Sequence, residues 1–231
     1  MIHQDEPIPQ AEFTKVGIPI QIRDLGLVDY LPTWQAMKSF TDDRIAESAD
    51  EIWVCQHNPV FTLGQAGDPA HMLQSSIIAL VKTDRGGQIT YHGPGQIVIY
   101  PLLDLKNYGL KVREYVQLLE QSLIDALVQV GVADAQRKPG APGVYTQHRG
   151  KLAKIAALGI KIRRGCSYHG LSLNVDMDLA PFSQINPCGY AGLETVDLRT
   201  VGVKISFGEM KMHLVKKLIE HLELARSAMS K

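Results

Sequence analysis

Three cysteines, Cys55, Cys166 and Cys188, are the thiols that could act as nucleophiles in this chain of 231 residues. They are too few and too widely spaced for a disulfide framework, and no CxxC pair occurs, so each reads as a free thiol. A free cysteine is most often a small buried hydrophobe. A nucleophilic one needs exposure and a nearby cation or base to raise its thiolate fraction. Cys55 sits in the apolar run Ile52-Trp53-Val54-Cys55 and reads as core. Cys188 lies in Asn186-Pro187-Cys188-Gly189, between a rigid and a permissive residue, which predicts an accessible loop thiol. Cys166 follows Arg163 and Arg164, which favour a thiolate, but its strand position predicts a side chain fixed by packing. The residues alone leave Cys166 and Cys188 as rivals.

A base for such a thiol is available locally. Between positions 135 and 175 stand Arg137, Lys138, Arg149, Lys151, Lys154, Lys161, Arg163 and Arg164, with no Asp or Glu. The run reads either as a solvated sheet edge, where lysines deter edge pairing, or as a landing site for an acidic partner. Lys154 differs from the rest because Leu152, Ala153, Ile155, Ala156 and Ala157 around it are small or apolar. Desolvation there is expected to lower its pKa and make it usable as a base.

A third feature is the glycine-dense stretch Thr83-Asp84-Arg85-Gly86-Gly87-Gln88-Ile89-Thr90-Tyr91-His92-Gly93-Pro94-Gly95-Gln96. Glycines at this density permit positive φ and close approach to a ligand, and equally a plain tight hairpin. The stretch is neither GxGxxG nor GxxxxGK[ST], so no nucleotide loop of those kinds is supported. Eight histidines fall in no HExxH or paired Cys/His arrangement, and Cys166 with His169 forms a CxxH lacking a second half, so no metal is expected.

The elements that must position these groups are legible in part. Apolar residues at spacings of three and four predict helices over 111–130, closed by Gly131, and over 207–227, opened by Ser206 and Glu209 at capping-box spacing. A third helix over 32–49 would carry Pro32 at its first position. Short β-branched or alternating runs predict strands at 18–23, 52–56, 77–82, 89–92, 97–100, 143–147, 152–162 and 168–175. Ile160 to Tyr168 reads as a hairpin turning at Arg164-Gly165. Strict βαβ alternation is absent, which predicts an α+β single domain with a mixed, largely antiparallel sheet flanked by helices. The expected division is an N-terminal extension over 1–15 without an assigned role and one catalytic domain over 16–231. Lys plus Arg and Asp plus Glu balance at 24 each, giving no reason to expect nucleic acid or membrane as partner. An acidic, polar N-terminus and the lack of any span-length apolar run predict a cytoplasmic protein.

Taken in order, several motifs resemble the lipoyl(octanoyl) transferase family of the biotin and lipoate protein ligase superfamily. They are His57-Asn58-Pro59-Val60-Phe61-Thr62-Leu63-Gly64, the Arg85–Gln96 segment, Lys154-Ile155-Ala156-Ala157-Leu158-Gly159-Ile160, Arg163-Arg164-Gly165-Cys166-Ser167-Tyr168-His169-Gly170 and Pro187-Cys188-Gly189. The resemblance implies that an octanoyl group is taken from octanoyl-acyl carrier protein and passed through a thioester to a lysine amine. The acceptors it implies are lipoyl domains of 2-oxoacid dehydrogenase complexes and the glycine cleavage H protein. It assigns Cys188 as nucleophile and Lys154 as its activator. It also implies that Arg85, Gly86, Gly87, Gln88, Ile89, Thr90, Tyr91, His92, Ala157, Leu158, Gly159, Gly170, Leu171 and Ser172 line the substrate site. No cofactor is implied, because a carrier thioester is already activated. Two alternatives remain on the residues: an ATP-dependent lipoate protein ligase, against which Cys188 speaks, and a non-catalytic module that binds acyl carrier protein or lipoyl domains.

Overall fold

The computed structural model describes residues 20–186 and 192–229. A six-stranded sheet has the order β1-β2-β6-β9-β8-β7. Its strands are β1 (Ile20–Val28), β2 (Asp50–His57), β6 (Gln96–Leu102), β7 (Gly143–His148), β8 (Lys151–Arg163) and β9 (Cys166–Asn174). Only β1 and β2 pair in parallel; every other neighbour pair is antiparallel. A three-stranded sheet, β4-β3-β5, is built from β3 (Val60–Leu63), β4 (Leu80–Lys82) and β5 (Ile89–His92). The helices are α1 (Tyr30–Asp42), α2 (Val112–Gln129) and α3 (Phe207–Ala228). The α+β reading therefore holds, with strand positions close to those expected. Residues 1–19, which contain the proposed extension, lie outside the described residues.

Alternation along the central strands sorts the core by sheet face. Ile52, Val54, Ile97, Ile99, Leu171 and Leu173 pack with Leu119, Leu123, Leu127, Leu214 and Leu218 of α2 and α3. Trp53, Cys55, Val98, Tyr100 and Tyr168 point to the other face, where Met37 of α1 meets them. The small sheet has its own cluster of Phe61, Leu63, Ile89, Tyr91 and Phe182. Cys55 is thus core, as its sequence context predicts.

The capping box at α3 is present: Ser206 Oγ accepts from the Glu209 N–H, and the Glu209 carboxylate accepts from the Ser206 N–H. The β8–β9 hairpin turns at Arg164-Gly165 with both residues at positive φ, 52° and 85°, which suits the twist of a two-residue turn. Two expectations needed correction, and one strand had not been expected. α1 begins at Tyr30 and stops at Asp42, so Pro32 is its third residue and the helix does not reach Ala49. Val60–Leu63 forms a strand of its own, and the run at 77–82 becomes strand only from Leu80. No helix among the described residues is long and apolar enough to cross a membrane.

Candidate active site

A cavity of about 390 Å³ opens between the second face of the large sheet and the glycine-rich stretch that leads into β5. Lys154 lines one end. Its placement depends on an irregularity in β8: Val144 pairs with Ala156 and Tyr145 with Lys154, so β8 carries one extra residue at Ile155. A bulge of this kind resets the alternation of side chains. Ala153, Ile155 and Ala156 all face the helix-side core, and Lys154 joins the face of Ala157 and Gly159. The lysine is 4% exposed; its Nζ donates to the Pro142 carbonyl at 3.0 Å and lies 5.3 Å from the centre of the Tyr145 ring.

The segment beyond residue 191 is bound to the backbone of this same lysine. The Lys154 N–H donates to the Glu194 carbonyl and the Val196 N–H to the Lys154 carbonyl, at 2.8 and 2.9 Å. On the near side Asn186 N–H donates to the His71 carbonyl at 2.9 Å. Both flanks of residues 187–191 are therefore pinned, one of them to Lys154 itself. Cys188 lies outside the described residues. Thr195 lines the cavity beside Lys154, and among the described residues its buried hydroxyl has no hydrogen-bond partner.

Small residues form the trough that leads away from Lys154. Ala157 pairs with Ser172 and Gly159 with Gly170, all four lining the cavity. A Cβ at Gly159 would lie 2.9 Å from the Gly86 carbonyl oxygen, and one at Gly170 would lie 2.1 Å from that of Ile99. The Gly86 N–H donates to Ile160, which seats the glycine-rich loop on β8. Arg85, buried, ties the loop to β3: Nη2 donates to the carbonyls of Thr62 and Gln88, Nε to the Thr62 hydroxyl, and Nη1 to the Gly86 carbonyl.

The opposite end of the cavity is polar. Pro101 of β6 lacks a donor for β9, and opposite it β9 departs from regular pairing. His169 there has φ 56°. By alternation with Leu171 it would face the helices; instead its Nε2 lies 2.9 Å from Asp84 Oδ1 and its Nδ1 3.5 Å from the Tyr30 hydroxyl. Asp84 also accepts from Trp34 Nε1 at 2.8 Å and from the Tyr168 hydroxyl. These donors hold its carboxyl well below the usual carboxylate range against the opposing effect of burial, which is the largest single influence. Burial lowers the pKa of His169, and it lowers those of His57 and His92 to about 4 and about 3. His57 donates from Nδ1 to the Val28 carbonyl, leaving Nε2 to accept from the Tyr100 hydroxyl at 2.7 Å. Burial pushes the Tyr30 hydroxyl up to about 12. Near pH 7 the hydroxyls and imidazoles of this end are neutral, and they are fixed by their neighbours, the ionised Asp84 among them.

The structure brings Arg85, Gly86, Gly87, Gln88, Ile89, Thr90, His92, Ala157, Leu158, Gly159, Gly170, Leu171 and Ser172 to one cavity with Lys154. Tyr91 does not join them; its ring packs on Phe61 and Phe182 in the small-sheet core. Tyr30, Tyr100 and His169 line the cavity without having been expected in the substrate site. Cys166 is buried beside the hairpin and away from the cavity lining, and burial raises its thiol pKa. Part of the basic run is paired by the fold. Arg137 meets Glu120, Arg163 and Arg164 meet Asp42, and Lys161 donates to Gln65. Arg149 and Lys151 stay exposed at the β7–β8 turn. Among the described residues no cluster of His, Cys, Asp and Glu could hold a metal ion.

Residues 29–219 match the lipoyl protein ligase A/B catalytic domain. The chain belongs to that family. An octanoyltransferase of Aromatoleum aromaticum is 57% identical over 211 residues, covering 91% of this chain and 89% of the relative. The octanoyltransferase of Dechloromonas aromatica is 55% identical over 89% of this chain and 98% of its own length. Among solved structures, lipoate-protein ligase A bound with ATP superposes with a TM-score of 0.65 at 15% identity, covering 91% of this chain and 94% of the other. The biotin protein ligase of Aquifex aeolicus gives 0.56 at 14%, covering 90% and 72%. These last two show the shared fold. With such relatives the family member described here is an enzyme, an acyltransferase of protein lipoylation.

Proposed function

We propose that this chain transfers an octanoyl group from octanoyl-acyl carrier protein to a lysine amine of a lipoyl domain, through a thioester on Cys188. The acceptors are lipoyl domains of 2-oxoacid dehydrogenase complexes and the glycine cleavage H protein, in the cytoplasm. The observation that carries the reading is Lys154, buried at the mouth of a trough of small residues and hydrogen-bonded through its own backbone to the segment that follows Cys188. In the first half-reaction the Cys188 thiol gives its proton to Lys154 and the sulfur attacks the carrier thioester carbonyl. The carrier thiol leaves, taking that proton. In the second, the acceptor amine attacks, loses a proton to Lys154, and expels Cys188 as the amide forms. One thioester is exchanged for another at little net cost, so no nucleotide enters.

The test is intact-mass analysis after incubation with octanoyl-acyl carrier protein and no ATP. An octanoyl adduct on the wild-type chain and on Cys166→Ser, lost in Cys188→Ala, supports the reading. An adduct mapped to Cys166, or transfer that requires ATP and survives Cys188→Ala, overturns it.

A further inference from the structure

Two buried amides form a hydrogen-bonded chain under the cavity. Gln96 of β6 stands opposite Asn174 of β9 in the strand register, and the two are 1% and 4% exposed. Gln96 Nε2 donates to Asn174 Oδ1 at 2.9 Å and to the Tyr91 carbonyl at 3.3 Å, and these two acceptors fix which end of the Gln96 amide is oxygen. Gln96 Oε1 therefore accepts at 2.7 Å from His92 Nδ1, which carries the single N–H of an imidazole that burial keeps neutral near pH 7. His92 Nε2 is left as an acceptor facing the Thr62 hydroxyl at 3.4 Å, and that hydroxyl accepts in turn from Arg85.

The other end of the chain reaches the segment beyond residue 191. Asn174 Nδ2 donates to the Val196 carbonyl at 2.9 Å, and the Asn174 carbonyl accepts from the Leu198 N–H at 3.2 Å. Val196 is 1% exposed, packs in the helix-side core, and gives its own N–H to the Lys154 carbonyl. The donors thus point one way, from Thr62 through His92, Gln96 and Asn174 to Val196 and Lys154. Pairing of β6 with β9 does not call for these amides, since Ile97, Ile99, Leu171 and Leu173 hold the same two strands together by packing. An apolar pair at the two positions would leave the buried Val196 carbonyl without this donor, which is costly.

We propose that Asn174, oriented by Gln96, is a positioning residue for acylation: it holds Val196, and with it the segment that follows Cys188, in register with Lys154. The inference rests on the acyl-transfer reading above. Neither amide has to touch the acyl group. They act through the placement of the cysteine flank against the lysine.

The experiment compares the full-length wild type with two variants. Asn174→Asp still accepts from Gln96 but has no donor for Val196; Gln96→Met keeps that donor and removes the group that orients it. Octanoyl-adduct formation is timed by mass over a range of octanoyl-acyl carrier protein concentrations, without ATP. Adduct on the wild type is the control for the underlying activity, and its absence counts against the proposed function. Hydrogen–deuterium exchange at Val196, followed without any substrate, tests the positioning independently of that activity. Asn174→Asp lowers the maximal rate on the order of 10²-fold, the scale of an ångström misplacement, while the half-saturating carrier concentration stays within about twofold of wild type. Exchange at Val196 rises about tenfold or more, with α3 exchanging as in the wild type. Gln96→Met shows the same pattern with a smaller, several-fold loss of rate, and it carries the test if Asn174→Asp does not fold. A folded Asn174→Asp with the wild-type maximal rate, or with wild-type exchange at Val196, overturns the proposal. So does a loss confined to the half-saturating concentration, which would make Asn174 a binding residue for the acyl donor.

Discussion

Lys154 occupies the space that a side chain on Gly143 would need. A Cβ built on Gly143 would lie 2.5 Å from Lys154 Cε and 2.7 Å from the Ala156 carbonyl oxygen, and the backbone there has φ 137°. The glycine N–H is bound in turn to Glu120 at 3.0 Å, which fixes the β7 backbone against α2. The amine is thus located by an absence of side chain across the strand pair as much as by its own hydrogen bonds.

Gly143→Ala should therefore act on the lysine before it acts on the fold. Displacement of the amine by about an ångström is expected to slow thioester formation on the order of 10²-fold. The check is the rate of acyl-adduct formation by mass, with the melting temperature measured alongside. A variant that folds and acylates at the wild-type rate would show that Lys154 need not sit where Gly143 lets it.

Asp84 is the joint between the glycine-rich loop, α1 and β9, through Trp34, Tyr168 and His169. Asp84→Asn retains an acceptor but loses the charge that orients the His169 Nε2–H. The expected result is a loss of stability of about 1–3 kcal/mol together with a raised KM for the acyl donor. Because the folded carboxyl titrates below its ordinary range, its contribution is present above the unfolded pKa and is lost as pH falls. The variant should accordingly show a shallower acid limb in its stability profile. Urea unfolding at several pH values measures this; parallel acid limbs would contradict it.

Much of the scaffold was legible because it rests on local rules. The α3 capping box, the Arg164-Gly165 turn and the alternation of Ile52, Val54, Ile97 and Ile99 are patterns that a sequence displays. The two irregularities that build the site are not of that kind. Nothing in Lys154-Ile155-Ala156 announces an extra residue, because a bulge is decided by pairing with β7. His169 leaves its expected face through crowding of Gly170 against Ile99 and Pro101, residues about 70 positions away. The charge pattern is altered for a similar reason: Glu120 and Asp42, remote in sequence, pair with Arg137, Arg163 and Arg164 of a run that looks uniformly basic in one dimension. The pairing of Cys188 with Lys154 came from ordered motifs; what the fold adds is the attachment of Glu194 and Val196 to the lysine backbone.

The buried imidazoles predict a second acid response. His57 and His92 titrate near pH 4 and pH 3 in the folded chain, below the ordinary value of 6.5, because burial disfavours their charged forms. The unfolded chain therefore binds more protons than the folded one between about pH 6.5 and 4, and stability falls as pH drops through that window. Each such histidine contributes up to about 1.4 kcal/mol per pH unit. Unfolding free energy should decline measurably from pH 7.5 to 5, and His57→Gln should flatten the decline. A profile that is level over this range would mean that the imidazoles are protonated in the folded state.

Arg149 and Lys151 are the cations of the basic run that the fold leaves at an exposed turn, three residues or so of β8 away from Lys154. That puts them roughly 10 Å along the strand from the cavity mouth, about one Debye length at 0.1 M salt. Charges so placed at the rim of a docking site act mainly on encounter. Neutralising both, as Arg149→Gln with Lys151→Gln, should raise KM for the acyl carrier several-fold, leave kcat nearly unchanged and weaken the salt dependence of kcat/KM. Steady-state kinetics at low and high ionic strength decide it. An unchanged KM would assign the pair to solubility and to protection of the sheet edge instead.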